Sequence, residues 1–313
     1  MIRSFEGALW KAFACLCFAG MNGLITALMH QLHFLEVAFF EHLFALLWLA
    51  PFVWKNRVRV FVVSQPFWHV FRILASVLGV VFWYQALRFM PMAQAVALGF
   101  VGPLTTTIGA CLILKERLTK GRLIAIILGV LGVVFIQRSW CVMPDAFFNC
   151  WVWLPLASSF AFSLSTLASK KLTFQDHPLL ITTTLCIFMT PLFGFLAWPF
   201  FKMPSAPLWG ALLALGGLTA LAHFALTRSF VCRDLIYLLP IGSLRFVFTA
   251  CVGYFFFNQK PLFSVYLGFF VIFTALCVLS LVERQGFSRF SFVRHLKTCC
   301  VWGGFLLSYA AFF

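Results

Sequence analysis

The residues best suited to chemistry in this 313-residue chain are charged groups inside apolar segments. Glu41 and Arg245 stand deep in such segments, where a charged side chain costs about 2.5–3.5 kcal/mol on insertion scales. We therefore predict that both have functional roles, and we consider the hypothesis that they neutralise each other. Glu36 and Arg72 stand closer to segment ends, where snorkelling to the membrane surface is the simpler interpretation.

The bulkier polar residues of the apolar segments form a second set, and we predict that they line a central substrate cavity. They are Asn22, Trp83, Tyr84, Gln94, Thr166, His223, Tyr237 and Arg245. Aromatic rings offer walls for stacking, while amide and guanidinium groups orient a substrate. An imidazole titrates near neutral pH, so His223 suits proton transfer, although a donor between helices is the simpler role. The remaining serines and threonines are expected to serve helix packing.

Two prolines interrupt apolar segments, and no catalytic motif accompanies them. Pro103 and Pro240 lack an amide hydrogen, so each is expected to kink its helix and expose polar backbone to a cavity. The chain has no GxSxG, HExxH or Walker loop and only eight acidic residues. We predict that it is not an enzyme and that it uses no metal and no cofactor.

The composition of the chain indicates what kind of structural element positions these residues. The chain is 63% hydrophobic and 10% charged, with a mean hydropathy of +1.01, which is typical of an integral membrane protein. Its net charge of +15 has no polar domain to carry it, so a nucleic-acid partner is excluded and the lipid bilayer is the expected environment. We predict ten spanning helices, at about 9–29, 37–54, 67–87, 92–114, 123–137, 151–169, 179–200, 208–228, 235–257 and 262–282.

The basic residues orient these helices. Most of the 23 lysines and arginines fall on one side if the N-terminus is cytoplasmic, as the positive-inside rule requires. The cluster of Lys115, Glu116 and Arg117 is then a cytoplasmic surface feature. The tail, 284–313, joins a basic linker to a short apolar stretch, which we interpret as an interfacial anchor, with an eleventh span as the alternative.

A weak internal repeat organises the chain. An offset of 143 places Gln259 on Glu116 and aligns a proline-containing segment in each copy. Five spans per copy is an odd number, so the copies 1–139 and 151–283 must enter the membrane in opposite senses. Inverted five-helix repeats around a midplane site are a recurring architecture of secondary transporters.

The stretch AVALGFVGPLTTTIGACLILKERLTKGRLIAIILGVLGVVFI resembles the first repeat of EamA-type transporters of the drug/metabolite transporter superfamily. The stretches LEVAFFEHLFALLWLAPF and QPFWHVFRILASVLGVVFWYQALRFMP look like bacterial S-adenosylmethionine uptake carriers. Those carriers commonly have arginine at the position of Glu41 and an acid at that of Gln259. The resemblance implies an all-α, ten-helix inverted-repeat carrier with a central cavity.

These observations predict a secondary transporter of the bacterial inner membrane. It would move a small organic metabolite, S-adenosylmethionine-like or amino-acid-like, by alternating access, with possible proton or exchange coupling. The alternative is a membrane-embedded assembly or lipid-handling protein without a substrate cavity. A carrier needs polar side chains that converge at the bundle centre, whereas a scaffold would fill that centre with some of its 42 phenylalanines.

Overall fold

The computed structural model describes residues 2–57, 63–102, 104, 120–138, 150–232 and 235–287. Over these residues the chain is helical and contains no strand. The α-helices are α1 (Ile2–Leu28), α2 (Phe34–Lys55), α3 (Pro66–Phe89), α4 (Met92–Gly99), α5 (Lys120–Arg138), α6 (Trp153–Leu172), α7 (Pro178–Ala197), α8 (Leu208–Cys232), α9 (Leu235–Gly242), α10 (Leu244–Phe257) and α11 (Phe263–Phe287). Two single-turn 3-10 helices, Cys150–Val152 and Trp198–Phe200, adjoin α6 and α7.

Six stretches of the described chain are long and apolar enough to cross a membrane. They are Glu6–Leu28, Phe34–Lys55, Pro66–Phe89, Pro178–Phe200, Leu208–Cys232 and Pro240–Phe257. α5 and α11 contain shorter apolar stretches. Helix lies within each of the ten predicted segments, but several of these helices are shorter or more polar than the predicted spans.

Helices from the first half of the sequence pack mainly against helices from the second half. α1 lies along α8 and α10, and α3 lies along α6. α2 packs against α7 and α8, α4 against α10, and α5 against α11. Glycine allows two of these close approaches: a methyl group at Gly216 would lie 2.4 Å from Phe44 Cβ, and one at Gly268 would lie 2.6 Å from the Gly132 carbonyl oxygen. Small residues at such contacts are typical of helices packed in membranes.

The ninth predicted span is not one helix but two. α9 ends at Gly242, two residues beyond Pro240, and α10 begins at Leu244. The junction is held by short-range bonds, since Ser243 N–H donates to the Pro240 carbonyl (3.2 Å) and Phe246 N–H donates to the Ser243 carbonyl (2.9 Å). α4 also ends early, at Gly99. Pro103 lies outside the described residues.

Two histidines cap the starts of α2 and α7 in the same way. His33 precedes α2, and its Nδ1 accepts from Leu35 N–H at 3.4 Å. His177 precedes α7, and its Nδ1 accepts from Leu179 N–H at 3.2 Å. The two caps are 144 positions apart, which is 177 minus 33, close to the offset of the sequence repeat.

Glu36 belongs to the same helix start. It accepts a hydrogen bond from His33 N–H at 2.8 Å and another from Lys202 N–H, and its side chain is fully buried. It therefore completes a capping box and joins two loops. The predicted snorkelling of Glu36 is wrong, because its carboxylate does not extend to the membrane surface. It is buried and accepts hydrogen bonds from two backbone N–H groups.

Candidate substrate site

Three helices bring polar and aromatic side chains together inside the bundle. Asn22 on α1 accepts a hydrogen bond from Trp83 Nε1 of α3 at 3.1 Å. The same Asn22 oxygen lies 3.5 Å from an Arg245 nitrogen of α10. The Arg245 guanidinium also lies 4.9 Å from the ring centroids of Phe18 and Trp83. We call Phe18, Asn22, Trp83 and Arg245 the central cluster.

Aromatic faces hold the Arg245 charge by cation–π attraction, which strengthens where water is excluded. His223 of α8 meets the same Phe18 ring edge to face, with centroids 5.6 Å apart. Four predicted cavity residues, Asn22, Trp83, His223 and Arg245, therefore gather around Phe18. Phe18 itself was not predicted, because a single phenylalanine among 42 carries no distinguishing signal.

Buried polar atoms around the central cluster have no hydrogen-bond partner. They are Asn22 Nδ2, Thr26 Oγ1, Arg245 Nε and Thr249 Oγ1. Asn22 is 1% exposed and Thr249 is fully buried. Thr26 follows Asn22 by four residues and Thr249 follows Arg245 by four, so each pair shares a helix face. Because leaving a buried polar group unpaired costs about 1–3 kcal/mol, this α1–α10 interface is suited to a bound ligand.

Glu41 has a different environment from the one expected. It is 3% exposed, and its carboxyl group contacts the Tyr84 hydroxyl of α3 and lies 2.9 Å from the Thr219 hydroxyl of α8. Its hydrogen-bond partners are thus two neutral hydroxyls, and among the described residues it forms no ion pair with Arg245.

Arg72 is a buried structural residue, so the snorkelling interpretation is wrong for it as well. The side chain is 3% exposed. Its Nε donates to Ser169 Oγ of α6 and one terminal nitrogen donates to the Ile181 carbonyl of α7, both at 2.7 Å. These two bonds join three helices, which explains why the cation stays inside.

The serines of α6 are used for packing, as the sequence predicted. Ser158 donates to the Gly79 carbonyl at 2.8 Å, Ser159 lies 2.9 Å from the Gly99 carbonyl, and Ser163 lies 2.7 Å from the Gly102 carbonyl. Ser165 pairs with Ser76 at 2.7 Å. Hydroxyls of α6 thus attach this helix to α3 and to the end of α4.

In the described part of the structure, the other predicted site residues form no hydrogen bond with the central cluster. Gln94 is buried on α4 with its Nε2 unpartnered, and Thr166 is half-buried on α6. Tyr237 belongs to α9, but its side chain is outside the described part of the structure, as are Pro103, Lys115, Glu116 and Arg117. Their assignments stay predictions.

The chain matches the EamA-like transporter family over residues 5–138. It is 30% identical over 276 residues to the riboflavin transporter of Rhizobium johnstonii, covering 87% of this chain and 90% of that protein. The chain belongs to the EamA-like transporter family. The resemblance inferred from the sequence is thereby confirmed, and this EamA-family protein is a multi-pass membrane transporter, not an enzyme.

Two further similarities accompany this assignment. The EamA-family chain is 27% identical over 258 residues to the S-adenosylmethionine uptake transporter of Rickettsia prowazekii, covering 82% of this chain and 86% of that protein. A crystal structure with a TM-score of 0.66 and 15% identity covers 89% of this chain and shares its fold. The relatives support transport of a small metabolite, and riboflavin was not among the substrates that the sequence suggested.

Proposed function

We propose that this protein carries a planar nitrogen heteroaromatic metabolite of the flavin type across the bacterial inner membrane by alternating access. The observation that carries the proposal is the central cluster, where rings and unpartnered hydrogen-bond donors from both halves of a transporter-family chain meet. Riboflavin and S-adenosylmethionine, the cargoes named for two relatives, both join a fused heteroaromatic ring to a sugar-derived group. Trp83 and Phe18 suit stacking against such a ring.

Charge favours a flavin over S-adenosylmethionine. Arg245 is cationic, and no carboxylate of the described chain contacts it. Glu41, the acid that would attract a cation, is engaged by Tyr84 and Thr219. A sulfonium cargo would meet repulsion at Arg245, whereas the neutral flavin ring offers two carbonyl acceptors to Arg245 Nε and Asn22 Nδ2. Unpaired buried donors discriminate strongly in favour of a ligand that satisfies them.

Alternating access is supported by the closed state of the site and by the pairing of helices. Asn22 and Thr249 are inaccessible to solvent, so a cargo reaches them only if α1 and α10 separate. Helices of 1–139 pack against helices of 151–283 in the pattern expected for two halves related by inversion. α1 packs against α8 and α3 packs against α6, and α2 packs against α7. We take these halves to be inverted five-helix repeats with the N-terminus cytoplasmic. Short or interrupted helices at corresponding positions, here α4 and α9, are typical of transporter sites.

The test is uptake of labelled riboflavin and labelled S-adenosylmethionine by proteoliposomes, with and without a proton gradient. We expect riboflavin uptake, and we expect Trp83→Ala to reduce it on the order of tenfold or more, since stacking on one ring contributes about 1–3 kcal/mol by alanine substitution. Trp54, which is 87% exposed, supplies the matched control. Trp54→Ala should transport normally.

Two results would contradict the proposal. Uptake of S-adenosylmethionine but not riboflavin would refute the flavin assignment and leave a carrier. Absence of flux for both cargoes under every gradient, with Trp83→Ala as stable as wild type, would favour the assembly or lipid-handling role. The gradient arm also decides between proton coupling and exchange.

A further inference from the structure

A buried carboxyl group lies in a membrane-spanning helix without a counter-ion. Glu41 is the eighth residue of α2, which is long and apolar enough to cross a membrane, and it is 3% exposed. Among the described residues it forms no ion pair, and its contacts are the hydroxyls of Tyr84 and Thr219. An ionised carboxyl group is costly inside a membrane protein unless a cation accompanies it.

The other titratable and charged groups on the helices around Glu41 do not supply that cation. They are Glu36 and His42 of α2, Arg72 of α3, Cys186 of α7 and His223 of α8. His42 Nδ1 lies 2.8 Å from the Ala38 carbonyl, and the Arg72 guanidinium donates to Ser169 and to the Ile181 carbonyl. Cys186 is a free buried thiol, and the His223 ring meets Phe18. In the described structure none of these groups forms an ion pair with Glu41.

The hydrogen bonds around Glu41 are satisfied if its carboxyl group is protonated. The Thr219 hydroxyl oxygen lies 2.9 Å from Glu41 Oε1 and 2.9 Å from the Leu215 carbonyl oxygen, one turn back on α8. A hydroxyl has one hydrogen and a carbonyl can only accept, so both contacts are hydrogen bonds only if Thr219 donates to Leu215 and accepts from Glu41. The Tyr84 hydroxyl donates to the second carboxyl oxygen. Protonated Glu41 therefore fills all three contacts, whereas ionised Glu41 leaves two hydrogens for three contacts.

Glu36, on the same helix, shows the opposite arrangement. It is fully buried and accepts hydrogen bonds from the backbone N–H groups of His33 and Lys202. A backbone N–H group can donate but cannot accept, so these partners suit an ionised carboxylate. The two glutamates of α2 thus differ in the property that decides their protonation, which is whether a partner can accept a hydrogen from the carboxyl group.

We propose that Glu41 is the proton-binding residue of this transporter and that it holds a proton in the closed state. Release occurs when the helices around Glu41 separate and water enters. The carboxyl O–H bond then breaks, its electron pair stays on the carboxylate and the proton passes to water. Because the ionised form is costly inside the closed bundle, the bundle closes only after a proton has bound again. This step rests on the proposed transport by alternating access, and it makes that transport proton-coupled.

Infrared difference spectra of the purified full-length chain in detergent test for the proton without any cargo. The carbonyl band of a protonated carboxyl group is separate from the bands of a carboxylate. We expect Glu41→Gln, which keeps the size of the side chain and cannot ionise, to remove a protonated-carboxyl band at neutral pH. Glu36→Gln is the matched control on the same helix and should remove carboxylate intensity only. If Glu41→Gln removes carboxylate intensity instead, Glu41 is ionised and the proposal is refuted.

Uptake of labelled riboflavin by proteoliposomes tests the coupling. If one proton moves with each cargo molecule, a gradient of one pH unit should drive about tenfold accumulation. Glu41→Gln should abolish that accumulation, whereas counterflow of labelled against unlabelled riboflavin, which needs no net proton movement, should remain detectable. Glu41→Asp keeps a titratable group and should restore accumulation.

The two measurements separate the role of Glu41 from the identity of the cargo. If the protonated band belongs to Glu41 but Glu41→Gln accumulates riboflavin as wild type does, the coupling role is refuted and flavin transport stands. If the protonated band belongs to Glu41 and wild type moves neither riboflavin nor S-adenosylmethionine, the flavin proposal fails and the assignment of the bound proton to Glu41 stands.

Discussion

The contact between α2 and α8 allows a stability prediction to be worked out from distances. An alanine methyl at Gly216 would lie 2.4 Å from Phe44 Cβ, 2.7 Å from the Phe44 carbonyl carbon and 2.8 Å from Ala45 N. Carbon atoms pack favourably at about 3.5–4.0 Å, so the two helices must separate by about 1 Å. The obstructing atoms include backbone, so rotation of a side chain cannot relieve the clash.

Overpacking of this kind costs about 1–3 kcal/mol, against a gain of up to about 1 kcal/mol from the better helix propensity of alanine. Gly210 lies on the same helix with nothing within 4 Å of an added methyl group. Gly210→Ala therefore isolates the propensity gain. We expect Gly216→Ala to lower the apparent thermal midpoint by about 5 °C relative to Gly210→Ala.

The assay is size-exclusion chromatography of heated, detergent-solubilised protein, detected by tryptophan fluorescence. Separation of α2 from α8 would also pull Thr219 from Glu41, now 2.9 Å apart, so riboflavin uptake should fall in the same variant. If Gly216→Ala proves as stable as Gly210→Ala, the helices are not packed as closely as these distances state. The reasoning would then be refuted.

Three other variants test the remaining contacts, each by the thermal midpoint. Asp176→Asn removes a buried carboxylate that lies 2.9 Å from His69 and should cost about 3 kcal/mol, while Gln175→Ala, at an exposed neighbour, should cost little. Burial lowers the pKa of His33 below its ordinary 6.5, so the stability that neutral His33 contributes is present above pH 6.5 and is lost as the pH falls. His33→Asn, which caps the helix without titrating, should flatten this loss of stability at low pH. Arg72→Lys keeps the charge but loses the two-point geometry and should cost about 1.5–3 kcal/mol; no loss would contradict its structural role.

The helical architecture was predictable because its signals are regular. Apolar runs of spanning length located helix within all ten segments, and the proline at 240 marked the region where α9 gives way to α10. The predicted helix boundaries were less accurate where polar side chains are used for packing between helices. α6 falls below the hydropathy of a span because it is rich in serine. Those serines bond to carbonyls of α3 and of the segment at the end of α4, and composition does not reveal such partners.

The central cluster was partly predictable for a similar reason. Bulky polar residues in apolar runs are rare enough to single out, which located Asn22, Trp83 and Arg245. The repeated His-x-Leu at positions 33 and 177 precedes a helix in both places, and the alignment around Glu116 did not make use of it.

The buried Arg72 and the half-buried Arg245 show how hydrogen bonds distinguish a structural cation from a candidate binding one. Arg72 donates to a serine and a carbonyl from two other helices, so its presence is explained by the fold itself. Arg245 lies between two rings with its Nε unpartnered and makes one long contact to an amide oxygen that also serves Trp83. Arg72 is 3% exposed and its two hydrogen bonds offset its desolvation, whereas Arg245 is half-buried and its inaccessible Nε has no acceptor among the described residues. A ligand that accepts from Arg245 Nε would offset the cost of leaving this donor unpaired, which is why we propose the substrate site on α10 and not beside α7.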